Sequence, residues 1–228
     1  MKNILKFLTV TTLMGLLLSS VAFAKKDNPE TTFDGLERVA KSKADLLYVL
    51  PAADLSGYNR VIILEPEIAF RKDWQSNQNS SRGANRISNR DMDRMIKEGQ
   101  KIFLDEFSKV LEKKGYATAE EPDDDVLLVR PAIVDLDVKA PDPNRTNSMW
   151  NRVYTESAGD ATLVIELYDS VTKQILVRAV DHKRDIGDSF GFGVPRTQHT
   201  NIMDARDAFA SWARMLARGL DMAKEAKD

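Results

Sequence analysis

The chain contains no cysteine. Thiol catalysis, iron–sulfur sites, disulfide scaffolds and zinc fingers are therefore excluded or nearly so. Histidine is almost missing too: His182 and His199 are the only two. Neither sign of charge is in marked excess, since 33 Lys and Arg stand against 35 Asp and Glu for a net charge of -2. Bulk nucleic-acid binding needs a basic excess, so no nucleic acid is expected as partner. Long hydrophobic runs are lacking everywhere except at the N-terminus. What is present is enough for a folded domain: 228 residues, 43% hydrophobic and 30% charged, which excludes a disordered or collagen-like chain.

The N-terminal run has the grammar of a secretory signal. Lys2 and Lys6 supply a positive start, and Phe7 to Leu18 is an apolar stretch of 12 residues, too short to span a bilayer as a helix. Ala22-Phe23-Ala24 gives the small-x-small pattern of a cleavage site. Residues 1–24 are expected to be a signal peptide, cut between Ala24 and Lys25, with an uncleaved anchor as the competing reading. A lipid anchor would need a cysteine just after the cut, so none is expected there. The expected compartment is the periplasm, with no transmembrane segment in the mature chain. Residues 25–32, polar and containing Pro29, read as a flexible leader, and residues 33–228 as one domain.

Residues 33–55 carry scattered apolar side chains and read as an arm packed on that domain, with at most a short helical turn. Val61-Ile62-Ile63-Leu64 opens a first strand over about 59–70, with Pro66 favouring an edge or a bulge. Residues 71–87 are too polar for a core and read as a loop. A helix starts near Ser88, with Asp91 three residues on as its capping partner; Met92, Met95, Ile96, Phe103, Phe107, Val110 and Leu111 form its apolar stripe, and Gly115 ends it. Val126 to Val138 is a long strand, with Val134, Leu136 and Val138 on one face and Asp135 and Asp137 on the other. Residues 161–168 and 174–184 make a hairpin, and a last amphipathic helix covers about 202–225. The fold class that follows is α+β: a single domain with an antiparallel-rich sheet of about five strands and two helices packed on one face. Clean alternation in the strands argues against a doubly wound parallel sheet.

With those elements placed, the chain resembles the bacterial domain of unknown function 3313 family, whose members are small secreted or lipoprotein-type envelope proteins. The resemblance runs through Phe33-Asp34-Gly35-Leu36, Tyr48-Val49-Leu50-Pro51-Ala52-Ala53-Asp54-Leu55 and Tyr58-Asn59-Arg60-Val61, then Ile165 to Ser170 and Phe209 to Ala213. It departs from the family's common pattern in having no lipobox cysteine, and in placing Lys173 where the hairpin turn often has glycine. It implies an envelope compartment and a fold, without a mechanism.

Five groups of residues bear on chemistry. The two histidines fall short of the three or four ligands of a zinc site. Glu120, Glu121 and Asp123 to Asp125 lack the spacing and the glycine of a calcium loop and read as a solvated turn. Gly187-Asp188-Ser189-Phe190-Gly191 matches G-x-S-x-G, but no helix follows and His199 comes only ten residues later. Trp150 and Arg152 stand at a loop–strand junction, a fair place for a contact. Arg82, Arg86, Arg90 and Arg94 recur every fourth residue, with Lys97 and Lys101 beyond. Guanidinium forks match carboxylates and phosphates, so Arg82, Arg86 and Arg90 are candidate contacts for an acidic partner, and ion pairing along the helix is the plainer alternative. The expected function is a non-enzymatic binding module of the envelope, without cofactor or metal, whose partner is an envelope protein or an anionic ligand. The alternative is a small secreted serine hydrolase using Ser189 and His199.

Overall fold

The computed structural model describes residues 29–80, 86–139, 153–154, 159–186, 195–196 and 198–226. The signal segment, the cleavage pair Ala24 and Lys25, and Arg82, Trp150, Arg152 and Ser189 lie outside the described residues.

In chain order the elements are β1 (Glu37–Arg38), β2 (Leu46–Val49), β3 (Arg60–Ile63), β4 (Glu67–Phe70), α1 (Trp74–Asn79), α2 (Asn89–Lys113), β5 (Ala117–Thr118), β6 (Val126–Val138), β7 (Val153–Tyr154), β8 (Gly159–Asp169), β9 (Ile175–Ile186), β10 (Pro195–Arg196) and α3 (Gln198–Glu225). Eight strands form one sheet in the order β1-β2-β9-β8-β6-β3-β5, with β4 beside β6, and β7 pairs with β10 in a separate ribbon. The class is α+β, but the expected five antiparallel-rich strands and two helices need correction: the sheet is mixed, and the described residues contain three helices. β3 and β4 both run parallel to β6, because α2 carries the chain back before β6 begins.

Each difference has a local cause. The expected strand over 59–70 breaks at Glu65-Pro66, since proline cannot donate to a ladder; its halves pair with successive stretches of β6. The arm at 33–55 joins the sheet edge as β1 and β2, strands too short to show a period. The polar loop at 71–87 contains α1, seated by Trp74: the ring is 3% exposed, stacks on Phe70 with centroids 4.4 Å apart, and donates from Nε1 to the Val138 carbonyl at 3.2 Å. The last helix, expected from about 202, starts at Gln198 and so takes in His199.

The two long helices show why the sequence folds as it does. Ser88 caps α2 with its hydroxyl on the Asp91 amide, and the Asp91 carboxylate accepts the Ser88 amide in return at 2.9 Å. At the other end Gly115 takes φ +91, which lets the Tyr116 amide reach the Leu111 carbonyl and the Gly115 amide reach that of Glu112, closing a Schellman cap. The apolar stripe of α2 meets that of α3 over one face of the sheet. Phe103 stacks on Phe107 at 3.9 Å and meets Phe209 edge-on at 5.3 Å, above Leu127, Val129, Ile133, Leu163 and Leu167. Each such fully buried side chain contributes on the order of 1.5–3 kcal/mol by removal from water.

The opposite face of the sheet is polar. Glu67, Arg130, Glu166, Arg178 and Asp34 form a ladder of alternating sign, with contacts of 3.1, 3.6, 2.8 and 2.6 Å in turn. Its last rung ties the segment before β1 to the sheet. There Gly35 turns at φ +83 and Leu36 is fully buried, which accounts for Asp34-Gly35-Leu36 in structural terms. Phe33 stays 98% exposed beside the Arg178 guanidinium.

Candidate functional site

The site candidate begins with a fault in the sheet. From Val134 to Asp137, β6 takes three steps where β8 takes two, and from Ile133 to Leu136 it takes three where β4 takes two. One residue of β6 is therefore extra against both neighbours. Asp135, at φ +52, is the strand residue in the left-handed region there, as expected of a bulge. One strand further, β9 carries an extra residue between Lys183 and Ile186 against β8. The irregularities form a row across four strands.

The bulge reverses the phase of β6. Before it the odd-numbered Leu127, Val129 and Ile133 face the helices; after it Leu136 does. The expected alternation of Val134, Leu136 and Val138 on one face is thereby corrected: Val134 pairs with Thr162 on the polar side, and Leu136 faces the helices. Gly159, which starts β8, is required by the same distortion. At φ +149 it lies so close to β6 that an added Cβ would stand 1.8 Å from the Asp137 carbonyl oxygen.

Between this end of the sheet and the first halves of α2 and α3 lies a cavity of about 160 Å³. Its sheet wall comprises Ile68, Phe70, Ile133, Leu136 and Ile186, and its helix wall Met95, Gly99, Ile102, Ile202, Ala205, Ala208 and Phe209. Gly99 matters because Ile68 Cδ1 lies only 3.0 Å from where its Cβ would be, so glycine allows α2 to approach β4. The lining also includes the polar groups of Arg94, Glu98, Asp137, Asp160 and Asn201. Arg71 neutralises Asp137 at 2.7 Å and Asp160 at 3.5 Å, and Lys139 lies 3.7 Å from Asp160. Arg94 pairs with Asp91 at 2.9 Å; the Asp91 carboxyl is held below its ordinary range, first by the Ser88 hydrogen bonds and then by Arg94.

The arginine row leads to this cavity. Arg94 lines it, Arg90 is one turn earlier on α2, and Arg86 stands just before the helix; Arg86 and Arg90 are exposed and have no ion-pair partner among the described residues. The acidic turn has a structural partner: Arg60 binds both Asp123 and Asp125, whose carboxyls it holds below the usual range. His182 Nδ1 meets the Thr162 hydroxyl at 2.8 Å. No three His, Asp or Glu among the described residues gather as a metal site would need. No described helix is long and apolar enough to cross a membrane.

Sequence reasoning singled out the arginines and missed the cavity. Gly99 inside the apolar stripe of α2, and a charged residue at each of 135 and 137 late in β6, were its only local signals.

The class set by these features is an α+β domain with two long helices on a mixed, bulged sheet. The chain belongs to the family described as protein of unknown function (DUF3313), whose family model matches residues 23–216. No curated protein matches it. Among solved structures it is similar to the PelC dodecamer from Paraburkholderia phytofirmans, at 10% identity over 75% of this chain and 96% of that one, with a TM-score of 0.35. It is also similar to a neuraminyllactose-binding hemagglutinin homolog from Helicobacter pylori, at 14% identity over 75% and 90% of the two chains, with a TM-score of 0.37. At those scores nothing about the function of this chain follows from either.

Proposed function

We propose that the protein is exported to the periplasm, loses residues 1–24, and works in the cell envelope as a binding module that carries out no chemistry of its own. The supporting observation is the cavity. Apolar walls with a few polar groups among them are the usual composition of a site that buries a ligand and orients it. Arg90, one turn before Arg94 on α2, and Arg86, just before the helix, are exposed and supply a charged contact for an anionic ligand or an acidic partner.

The binding reading is tested by methyl NMR of the mature protein titrated with a total small-molecule extract of the envelope. Shifts confined to Ile68, Met95, Leu136 and Ile202 are the expected result; an unchanged spectrum refutes the site. Export is tested by intact mass, with the mature chain expected to start at Lys25. A broad ester panel addresses the hydrolase alternative: turnover that disappears in Ser189→Ala would replace the binding reading.

A further inference from the structure

We infer that the partner of the cavity is a second copy of this chain, which inserts its Phe33 ring between the apolar walls while the acids beside that ring meet Arg86 and Arg90. The inference rests on the binding reading above and names its acidic partner. A small ligand would take the same walls, so the two occupants exclude each other.

The knob is a phenylalanine fixed in place. Residues 30–38 fold back on themselves: the Arg38 amide donates to the Glu30 carbonyl at 2.8 Å, the Thr32 amide to that of Leu36 at 2.9 Å, and the Leu36 amide to the Thr32 hydroxyl at 3.0 Å. Leu36 is fully buried, and the Arg178 guanidinium donates to both oxygens of Asp34, at 3.3 and 2.6 Å. Phe33, on the same turn, is 98% exposed. Single exposed apolar side chains are common on protein surfaces. This one stands on a turn anchored on both sides, so gripping the ring costs little conformational entropy. Aromatic rings are enriched at the centre of protein interfaces.

The hole is the half-open cavity, whose Ile, Leu, Met and Phe walls favour an apolar guest over water. The chain's own Phe33 cannot fill it. Phe33 stands beside Arg178 on the polar face of the sheet, and the cavity lies on the helix face. A phenyl ring is uncharged, so it makes no demand on Arg94, Glu98, Asp137 or Asp160. Arg94 keeps Asp91, and Arg71 keeps Asp137 and Asp160. The charges outside the cavity point to a second copy. Glu30 and Glu37 flank Phe33, are exposed and have no ion-pair partner among the described residues; Arg86 and Arg90 are exposed and lack one too. Acid can meet base here without breaking an existing pair. An anionic lipid surface, which also takes exposed rings, would repel Glu30 and Glu37. Since knob and hole lie on opposite faces of the sheet, each copy serves two neighbours and the contact is head-to-tail.

The test is sedimentation equilibrium of the mature protein up to about 1 mM, which reaches contacts of millimolar Kd. The mass should grow with concentration and pass that of a dimer. Phe33→Ala should weaken assembly at least about tenfold. Because the side chain is exposed, the same change should leave Tm within about 2 °C of the parent. Ala205→Leu, which puts a larger side chain into the cavity, should also stay monomeric. Equal amounts of the two variants should form a dimer and nothing larger, because one working knob and one working hole remain. Glu30→Lys with Glu37→Lys should block assembly, and adding Arg86→Glu with Arg90→Glu to the same chain should restore it. Contact at the cavity is read by adding unlabelled parent to methyl-labelled Phe33→Ala protein: Ile68, Met95 and Leu136 should shift. If Ala205→Leu does not fold, that titration decides. A parent that is monomeric at about 1 mM overturns the inference, and so does assembly indifferent to Phe33→Ala, or methyls that a second copy does not move. Phe33-dependent sedimentation with phosphatidylethanolamine–phosphatidylglycerol vesicles in place of self-assembly overturns it in favour of a lipid surface. Methyls that answer the envelope extract but not a second copy refute the occupant and leave the binding site standing; methyls that answer neither refute both.

Discussion

Gly159→Ala puts the bulged end of the sheet under a defined load. The new Cβ would stand 1.8 Å from the Asp137 carbonyl oxygen, 2.9 Å from its carbon and 3.2 Å from Val138 Cα. All three atoms are backbone, so no rotamer change relieves the overlap; the strands must part by more than about 1 Å. The φ of +149° is one that alanine rarely adopts. Parting the strands breaks the terminal pairs Val138↔Gly159 and Asp137↔Asp160, and each lost backbone hydrogen bond costs about 1 kcal/mol. Backbone strain adds about 1 kcal/mol or more. Because the ladder can fray from this end without unfolding the core, the loss is capped by the cost of local opening. A decrease of about 2–3 kcal/mol is expected in urea unfolding, with an unchanged m-value. Amide exchange should quicken at Asp137 and Asp160 and stay slow at Val129 and Leu167 in the middle of the ladder. A loss below about 0.5 kcal/mol, with protection intact at Asp160, would refute the close approach of β8 to β6.

Ser88→Ala removes the hydroxyl that caps the Asp91 amide at 3.3 Å and should cost about 1 kcal/mol, read as a fall in Tm of about 3 °C; no change would mean that the box does not hold in solution. Lys173 takes φ +61 in the hairpin turn, so Lys173→Gly should raise the unfolding free energy in urea by about 0.5–1 kcal/mol, and a loss would show that the side chain, which donates to the Ser170 carbonyl, matters more than the strain. Stability should hold from neutral pH to about pH 5 and fall below about pH 4. The Arg178 hydrogen bond holds the Asp34 carboxyl below its ordinary range, and the Thr172 amide does so for Asp169. For Glu166 burial opposes ionisation, but bonds from Tyr168 and Arg178 outweigh it and the net shift is downward. A carboxyl depressed in the folded state contributes above its unfolded value and is lost as pH falls through the folded one, so a urea midpoint constant down to pH 2.5 would contradict the ladder.

The difference between what was legible in the sequence and what was not follows the range of the forces involved. Ser88 with Asp91, the stripe from Met92 to Leu111 and the stop at Gly115 act within a few residues of one another, and the long helix they announce lies at Asn89–Lys113. The same holds for the hairpin of β8 and β9, where alternation and a short turn are local. The α+β class was legible for that reason. The partners of the strands were not: Val61-Ile62-Ile63 looks the same whether its neighbour runs parallel or antiparallel, and only the return of α2 makes it parallel to β6. Glu37–Arg38 becomes a strand because a neighbouring backbone lies open to it, and two residues carry no period. The cavity is the furthest from local reading. It exists because Asp135 is one residue too many in β6, because Gly159 allows β8 to close in, and because Gly99 allows α2 to approach Ile68. The sequence by itself determined the two long helices, the hairpin and the spacing of the arginines; only the tertiary structure placed Arg94 at an apolar cavity, since that depends on the register of three strands against two helices.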